Sequence, residues 1–137
     1  MSQVQSYQIG KHFTTLEEPD IIYMKLVGSV SNDEVKVINR AHLEYGDLGK
    51  TLYYLIDLSE LENLAPQVRK EASDTVKRLP LRGTAIYGAP LKAKVLAKLM
   101  LTASNMFRGG KNPNPVEFWD TEEDARAWIA KRRAEPS

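Results

Sequence analysis

The chain has 137 residues, a formal net charge of +1 from 19 basic and 18 acidic side chains, and no cysteine. This length suits one domain with its own core, and the charge balance gives no overall attraction to nucleic acid. The lack of cysteine excludes disulfides and zinc–thiolate sites and fits a cytoplasmic location. We expect no signal peptide, because the N-terminus lacks a basic start and an apolar core, and no transmembrane segment, because no apolar run is long enough.

The first half of the chain predicts a hairpin, a helix and a buried strand. Residues 10–16 and 21–30 are expected to form antiparallel strands, because the turn between them is short. Ser31 and Glu34 have the spacing of a capping box, which predicts the start of the first helix. Residues 52–56 form a continuous apolar run, the pattern of a strand buried on both faces.

The second half predicts three helices and two strands. Pro66 suits the first turn of the second helix, and residues 83–88 form the next strand. A third helix is expected between Pro90 and a glycine pair that follows residue 108. After a short last strand, Asp120 opens the fourth helix in a capping arrangement with Glu123. The buried side of this fourth helix is expected to carry Ala125, Trp128 and Ile129.

The resulting order, β-β-α-β-α-β-α-β-α, predicts a single α/β domain over residues 1–137. Strands that alternate with helices favour a mixed, mainly parallel sheet, here of about five strands with four helices. Residues 1–8 and 134–137 are expected to be flexible ends.

Several segments in this order resemble the STAS superfamily, and most closely its SpoIIAA-like (STAS/SEC14-like) branch. The similar segments are the Ser-capped helix and the strand before it, the sequence Leu55-Ile-Asp-Leu-Ser59, and residues 82–87 and 118–129. Together they cover nearly the whole chain after Phe13. The resemblance implies a STAS-like fold and a role in binding or regulation.

Asp57 and Ser59 place a carboxylate and a hydroxyl at the expected end of the buried strand, and we call residues 57–59 the corner. Ligands of helix-covered parallel sheets bind at the carboxyl ends of the strands. For Asp57, however, a structural role as acceptor of loop amides is favoured over a role as base or ligand anchor. The candidate binding residues around the corner are Ser31, Asp57, Ser59, Pro66 and Gln67.

A phospho-switch is not expected. STAS proteins of the sigma-factor switch are phosphorylated on a Ser or Thr at the start of the helix after the corner. The corresponding residues here, 64–67, are Leu-Ala-Pro-Gln and contain no hydroxyl. Pro66 also has no N–H to offer to a phosphate at a helix N-terminus.

Catalysis and metal binding are not expected either. A Ser-His-Asp triad would need His12 or His42 beside Ser59 and Asp57. His42 falls late in the first helix and His12 falls on the first strand, so neither is expected at the corner. We therefore expect a protein that is not an enzyme and has no metal or cofactor.

The third helix carries more apolar residues than one buried face requires. The side expected to face the sheet carries Leu91, Val95, Leu99 and Met106, and the apolar arc is widened by Leu96, Met100 and Phe107. Deep burial is favoured, with a surface for a partner or an apolar ligand as the alternative. Candidates for an anionic group are Lys94, Lys98 and Arg108, although a solvated helix face is the usual role of such residues.

These observations favour a regulatory or scaffold module that acts through a protein partner or through self-association. The alternative is a carrier or sensor of a small apolar or lipid-like ligand; a hydrolase is a third and weaker option. A pocket between the third helix and the sheet would favour the ligand. An exposed apolar patch would favour the partner.

Overall fold

The computed structural model describes residues 6–106 and 114–135, with only the backbone for residues 101–106. These residues form six strands and four helices: β1 Ser6–Ile9, β2 His12–Glu17, β3 Ile21–Ser29, α1 Asn32–Gly46, β4 Leu52–Asn63, α2 Pro66–Arg78, β5 Leu81–Tyr87, α3 Leu91–Met106, β6 Val116–Trp119 and α4 Glu122–Ala134.

The six strands form one mixed sheet, in which the order of the strands is the same as their order along the chain. β1, β2 and β3 pair antiparallel, whereas β3, β4, β5 and β6 run parallel. Each parallel pair is joined by a crossover helix, as parallel strands require. The prediction of a single α/β domain with a mixed sheet and four helices is confirmed.

The sheet has six strands and not about five, because β1 was missed. Residues 1–8 were assigned to a flexible end, but Ser6 pairs with Thr15 and Ile9 with His12. Gly10 takes a positive φ of 61° in the short turn after β1, a conformation that glycine adopts without steric cost. At the other end, α4 continues to Ala134, and residues 136–137 lie outside the described part.

Helices cover both faces of the sheet, three on one side and one on the other. β4 shows the division: Tyr54 and Ile56 belong to the core shared with α1, α2 and α3, whereas Tyr53 and Leu55 belong to the core beneath α4. The prediction of a strand buried on both faces is confirmed.

The helix starts follow from local side-chain caps. The Ser31 hydroxyl accepts a hydrogen bond from the Glu34 N–H at 3.1 Å, and Glu34 Oε1 accepts from the Ser31 N–H at 2.9 Å. This is the predicted capping box of α1. In α4 the cap is Thr121 and not Asp120, because the Thr121 hydroxyl accepts from the Asp124 N–H at 3.1 Å.

Candidate functional site

The predicted corner is not the end of a strand. β4 extends past residues 57–59 and stays paired with β3, where Lys25 lies opposite Asp57 and Val27 lies opposite Glu60. Two residues of β4 therefore face one residue of β3, which is a β-bulge.

The apolar run of β4 ends at the corner for a different reason from the one predicted. β5 ends at Tyr87, which pairs with Asp57, so the rest of β4 has a strand neighbour on one side only. In this extension of β4 only Leu58 and Leu61 are buried, and the polar residues between and after them are exposed. The end of an apolar run marked the loss of a neighbouring strand and not the end of the strand itself.

Asp57 holds the bulge together. Its Oδ1 accepts hydrogen bonds from the Ser59 N–H at 2.9 Å and from the Ser59 hydroxyl at 2.7 Å. Lys25 Nζ lies 4.0 Å from Asp57 Oδ2 and 2.9 Å from Glu60 Oε2. The hydrogen bond to Glu60, with the charges of Glu60 and Asp57, raises the pKa of Lys25. These contacts match the structural role that the sequence favoured for Asp57.

Two hydrogen-bonded tyrosines lie on the same face of the sheet, and the sequence analysis missed them. Tyr87 donates to Glu122 Oε1 at 3.2 Å, so Tyr23 must be the donor in the 3.1 Å contact between the two phenolic oxygens. Burial, followed by the bond to Tyr23, raises the pKa of Tyr87. A neutral phenol of this kind suits a clamp between β3, β5 and the start of α4. The sequence could have indicated this pair, because Tyr23 and Tyr87 lie on the same face of the sheet as Lys25 and Asp57.

His42 is buried in a hydrogen-bonded chain on the opposite face. The Thr14 hydroxyl donates to the Tyr23 carbonyl at 2.7 Å, so it accepts from His42 Nε2–H at 2.9 Å. His42 Nδ1 then accepts from the Tyr54 hydroxyl, also at 2.9 Å. Burial lowers the pKa of His42 to about 3, so the ring is neutral.

His12 is also buried, and its hydrogen-bond partners do not belong to the corner. Its Nδ1 accepts from the Val27 N–H at 3.1 Å, so Nε2 carries the proton and faces Glu34 Oε1 at 3.2 Å. Both histidines lie on the α1 side of the sheet, whereas Asp57 lies on the α4 side. The structure therefore assembles no Ser-His-Asp triad among the described residues.

A small apolar cavity of about 50 Å³ lies between α1, α2 and the sheet. Its polar groups come from Asn39, His42 and Tyr54, and Met100 is the contribution of α3. A pocket between the third helix and the sheet would have favoured a ligand, but this cavity lies mainly against α1 and α2. The rest of its lining is apolar and includes Met24, Ile56, Ala72 and Val76.

The predicted orientation of α3 is wrong. Among residues 91–100, Ala93 and Ala97 are buried, Leu96 and Met100 are half-buried against the core, and the exposed side carries Leu91, Val95 and Leu99. Apolar residues lie nearly all around this helix, so their spacing does not fix its rotation. Small alanine side chains allow a closer approach to α2 and the sheet than leucine would, which accounts for the observed face.

The remaining α3 candidates fall in two groups. Lys98 Nζ lies 5.6 Å from the centre of the Phe118 ring, and Lys94 is half-buried. Among the described residues neither lysine forms an ion pair. Phe107 and Arg108, with the predicted glycine stop, lie outside the described residues.

A groove of about 370 Å³ separates α2 from α3. It is bordered by Pro66, Arg69 and Lys77 of α2 and by Leu99 and Met100 of α3. Two predicted site residues, Pro66 and Met100, thus meet here, although they were assigned to different sites.

The other corner candidates make their contacts elsewhere. Ser31 caps α1, Asp57 and Ser59 form the bulge of β4, and Gln67 donates to Glu71 Oε1 at 3.4 Å. The five residues predicted around the corner therefore do not share one set of contacts.

Neither a metal cluster nor a membrane-spanning helix is present in the part of the chain that the structure describes. No three His, Asp or Glu side chains are grouped so that they could hold a metal ion. No helix among these residues is long and apolar enough to cross a membrane.

Comparison with known proteins establishes the fold. No family model and no curated protein matches the chain. The chain is similar to the crystal structure of an uncharacterized DUF3478-family protein with a SpoIIAA-like fold from Shewanella loihica PV-4. The TM-score is 0.56 and the identity 18%, over 93% of this chain and 92% of the other. The chain therefore has a SpoIIAA-like fold, and the resemblance predicted from the sequence is confirmed at that level.

Proposed function

We propose that this chain is a non-enzymatic binding module that recognises a protein partner through α3. The observation that carries the proposal is the exposure of Leu91, Val95 and Leu99, which are 79%, 50% and 57% accessible. We call these three residues the apolar stripe. Their spacing of four residues places them along one side of the helix.

Burial of the apolar stripe would supply much of the energy of an association. Full burial of one large aliphatic side chain contributes roughly 1.5–3 kcal/mol, and part of that gain is still available at each of the three positions. Anchors one turn apart are also how a helix binds in the groove of a partner. In the sequence analysis, an exposed apolar patch was the feature that would favour a protein partner over a small apolar ligand.

The charge of α3 defines the chemistry of the partner. Its charged residues are Lys92, Lys94 and Lys98, and it carries no acidic residue. A partner with an apolar surface rimmed by Asp and Glu would complement this helix. A symmetric dimer through the same face would bring the lysines of two copies together, so the proposal favours a different protein over self-association.

The proposal includes a cytoplasmic location and no phospho-switch. Ala65 is the N-cap of α2 and makes no side-chain cap, and Pro66 follows it. The start of α2 therefore has no hydroxyl group that could be phosphorylated. Intact-mass analysis after incubation with ATP and a cell extract should show no added phosphate, and regulatory phosphate on Ser59 would contradict this part of the proposal.

Photocrosslinking in the cell tests the binding face. A photoreactive phenylalanine derivative at Leu91 should give a discrete adduct with another protein, and Val95→Glu should abolish it. Val37 is the matched control, because it is an exposed valine on α1, 41% accessible. Val37→Glu should leave the adduct unchanged. An adduct that survives Val95→Glu, or equal adducts from a probe at Val37, would contradict the proposal.

A carrier of a small apolar molecule is the second candidate; the apolar lining of the cavity beside His42 and Tyr54 favours it, and a cavity of about 50 Å³ would have to widen to hold a ligand. Native mass spectrometry should then show a retained small molecule. Ala72→Leu would fill part of the cavity, because Ala72 lines it, and should release that molecule. A wild-type mass equal to that of the bare chain would remove this candidate.

A further inference from the structure

The groove between α2 and α3 contains a guanidinium group without an acceptor. Arg69 is half-buried, and its Nε is buried without a hydrogen-bond partner. Within residues 6–106 and 114–135, no acidic side chain forms an ion pair with Arg69. A charged donor removed from water and left unpaired is costly, so the position calls for an acceptor.

The acidic residue among the described lining of the groove is already engaged by other side chains. Asp74 also borders the groove, but Lys70 and Lys77 hold its two oxygens at 3.6 and 3.5 Å. Outside the described residues the sequence contains no Asp or Glu that could reach the groove. Among the described residues that line the groove, none therefore offers Arg69 a free carboxylate.

Leu99 joins the groove to the apolar stripe, because it borders the groove and belongs to the stripe. We infer that Arg69 anchors a carboxylate of the protein partner, from an Asp or Glu that lies next to an apolar residue packed on Leu99. This inference rests on the proposed function. A guanidinium fork matches the planar carboxylate with two donors, which a lysine cannot do.

The recessed position of Arg69 favours a projecting side chain over an anionic membrane. Arg69 borders the groove and its Nε is buried, whereas Leu91 is the most exposed residue of the apolar stripe. A flat surface of lipid head groups would meet the lysines of α3 before it reached the guanidinium. A protein segment can place one carboxylate into the groove while its apolar neighbour covers Leu99.

A random library of twelve-residue peptides, selected on the purified full chain, tests the anchor. We expect peptides that combine Leu or Phe with Asp or Glu. Arg69→Gln should weaken such a peptide by about tenfold or more, the loss expected for one charged hydrogen bond. Arg69→Lys should recover part of that loss. Arg40→Gln, at an exposed arginine of α1, should have no effect.

The other outcomes separate the anchor from the proposed function. Apolar peptides without acidic residues, equally tight on Arg69→Gln, would overturn the anchor and leave the proposed function standing. Acidic peptides that depend on Arg69 but bind Val95→Glu unchanged would support the anchor and contradict the apolar stripe. Selection of no peptide, with phosphatidylglycerol vesicles bound in an Arg69-dependent way, would overturn both in favour of a membrane.

Discussion

His42 should make the stability of this protein fall as the pH drops below about 6.5. The ring has its ordinary pKa of 6.5 in the unfolded chain and a pKa of about 3 in the folded protein. The unfolded state therefore binds the proton first. This stability is fully present above the unfolded pKa and is lost as the pH falls toward the folded pKa.

The structure explains why protonation of His42 lowers the stability and how large the loss should be. A protonated ring would lose the acceptor at Nδ1 that the Tyr54 hydroxyl uses, and it would place a charge in a buried site. At about pH 5, roughly 1.5 pH units below the unfolded pKa, the free energy of unfolding should be lower by about 2 kcal/mol.

Urea unfolding of wild type and His42→Gln at about pH 8 and about pH 5 measures this effect. Glutamine can still donate to Thr14 and accept from Tyr54, but it does not titrate. The carboxylates contribute equally to both proteins, so the difference between their pH dependences belongs to His42. Equal losses of stability in the two proteins would refute the argument.

Three further substitutions test the packing. Trp128→Ala should lower the free energy of unfolding by about 3 kcal/mol, the low end for a tryptophan because the ring is half-buried against Gly83, and an unchanged melting temperature would show that α4 is not docked. Gly88→Ala should cost about 1–2 kcal/mol, because its φ is 72° and a Cβ would lie 3.0 Å from that of Ser59, and chemical denaturation measures this. Met100→Glu should place a carboxylate beside the apolar cavity and lower the free energy of unfolding, by less than full burial would because Met100 is half-buried. An unchanged unfolding midpoint for Met100→Glu would mean that Met100 does not help to close the core.

The fold was predictable where local chemistry and burial agree. Ser31 and Glu34 defined the start of α1, and the apolar run of β4 defined a strand covered on both faces. β1 was missed because Ser6–Ile9 is a short edge strand with few buried residues, and its pairing depends on β2 and not on its own sequence.

The candidate site was less predictable, because it depends on how elements meet. The apolar pattern of α3 did not fix its rotation, so Leu91, Val95 and Leu99 were placed on the wrong side. The role of Arg69 could not be seen from spacing, since it follows from the positions of every acidic side chain around the groove. The bulge at Asp57 likewise depends on where β5 ends.

Cysteine labelling in the cell tests the central claim most directly, because the chain contains no other cysteine. Val95→Cys and Val37→Cys should react with a maleimide at similar rates in the purified protein, since both valines are exposed. In the cell, the apolar stripe should be covered, so Val95→Cys should be protected while Val37→Cys stays reactive. Equal labelling of the two positions in the cell would contradict a binding face on α3.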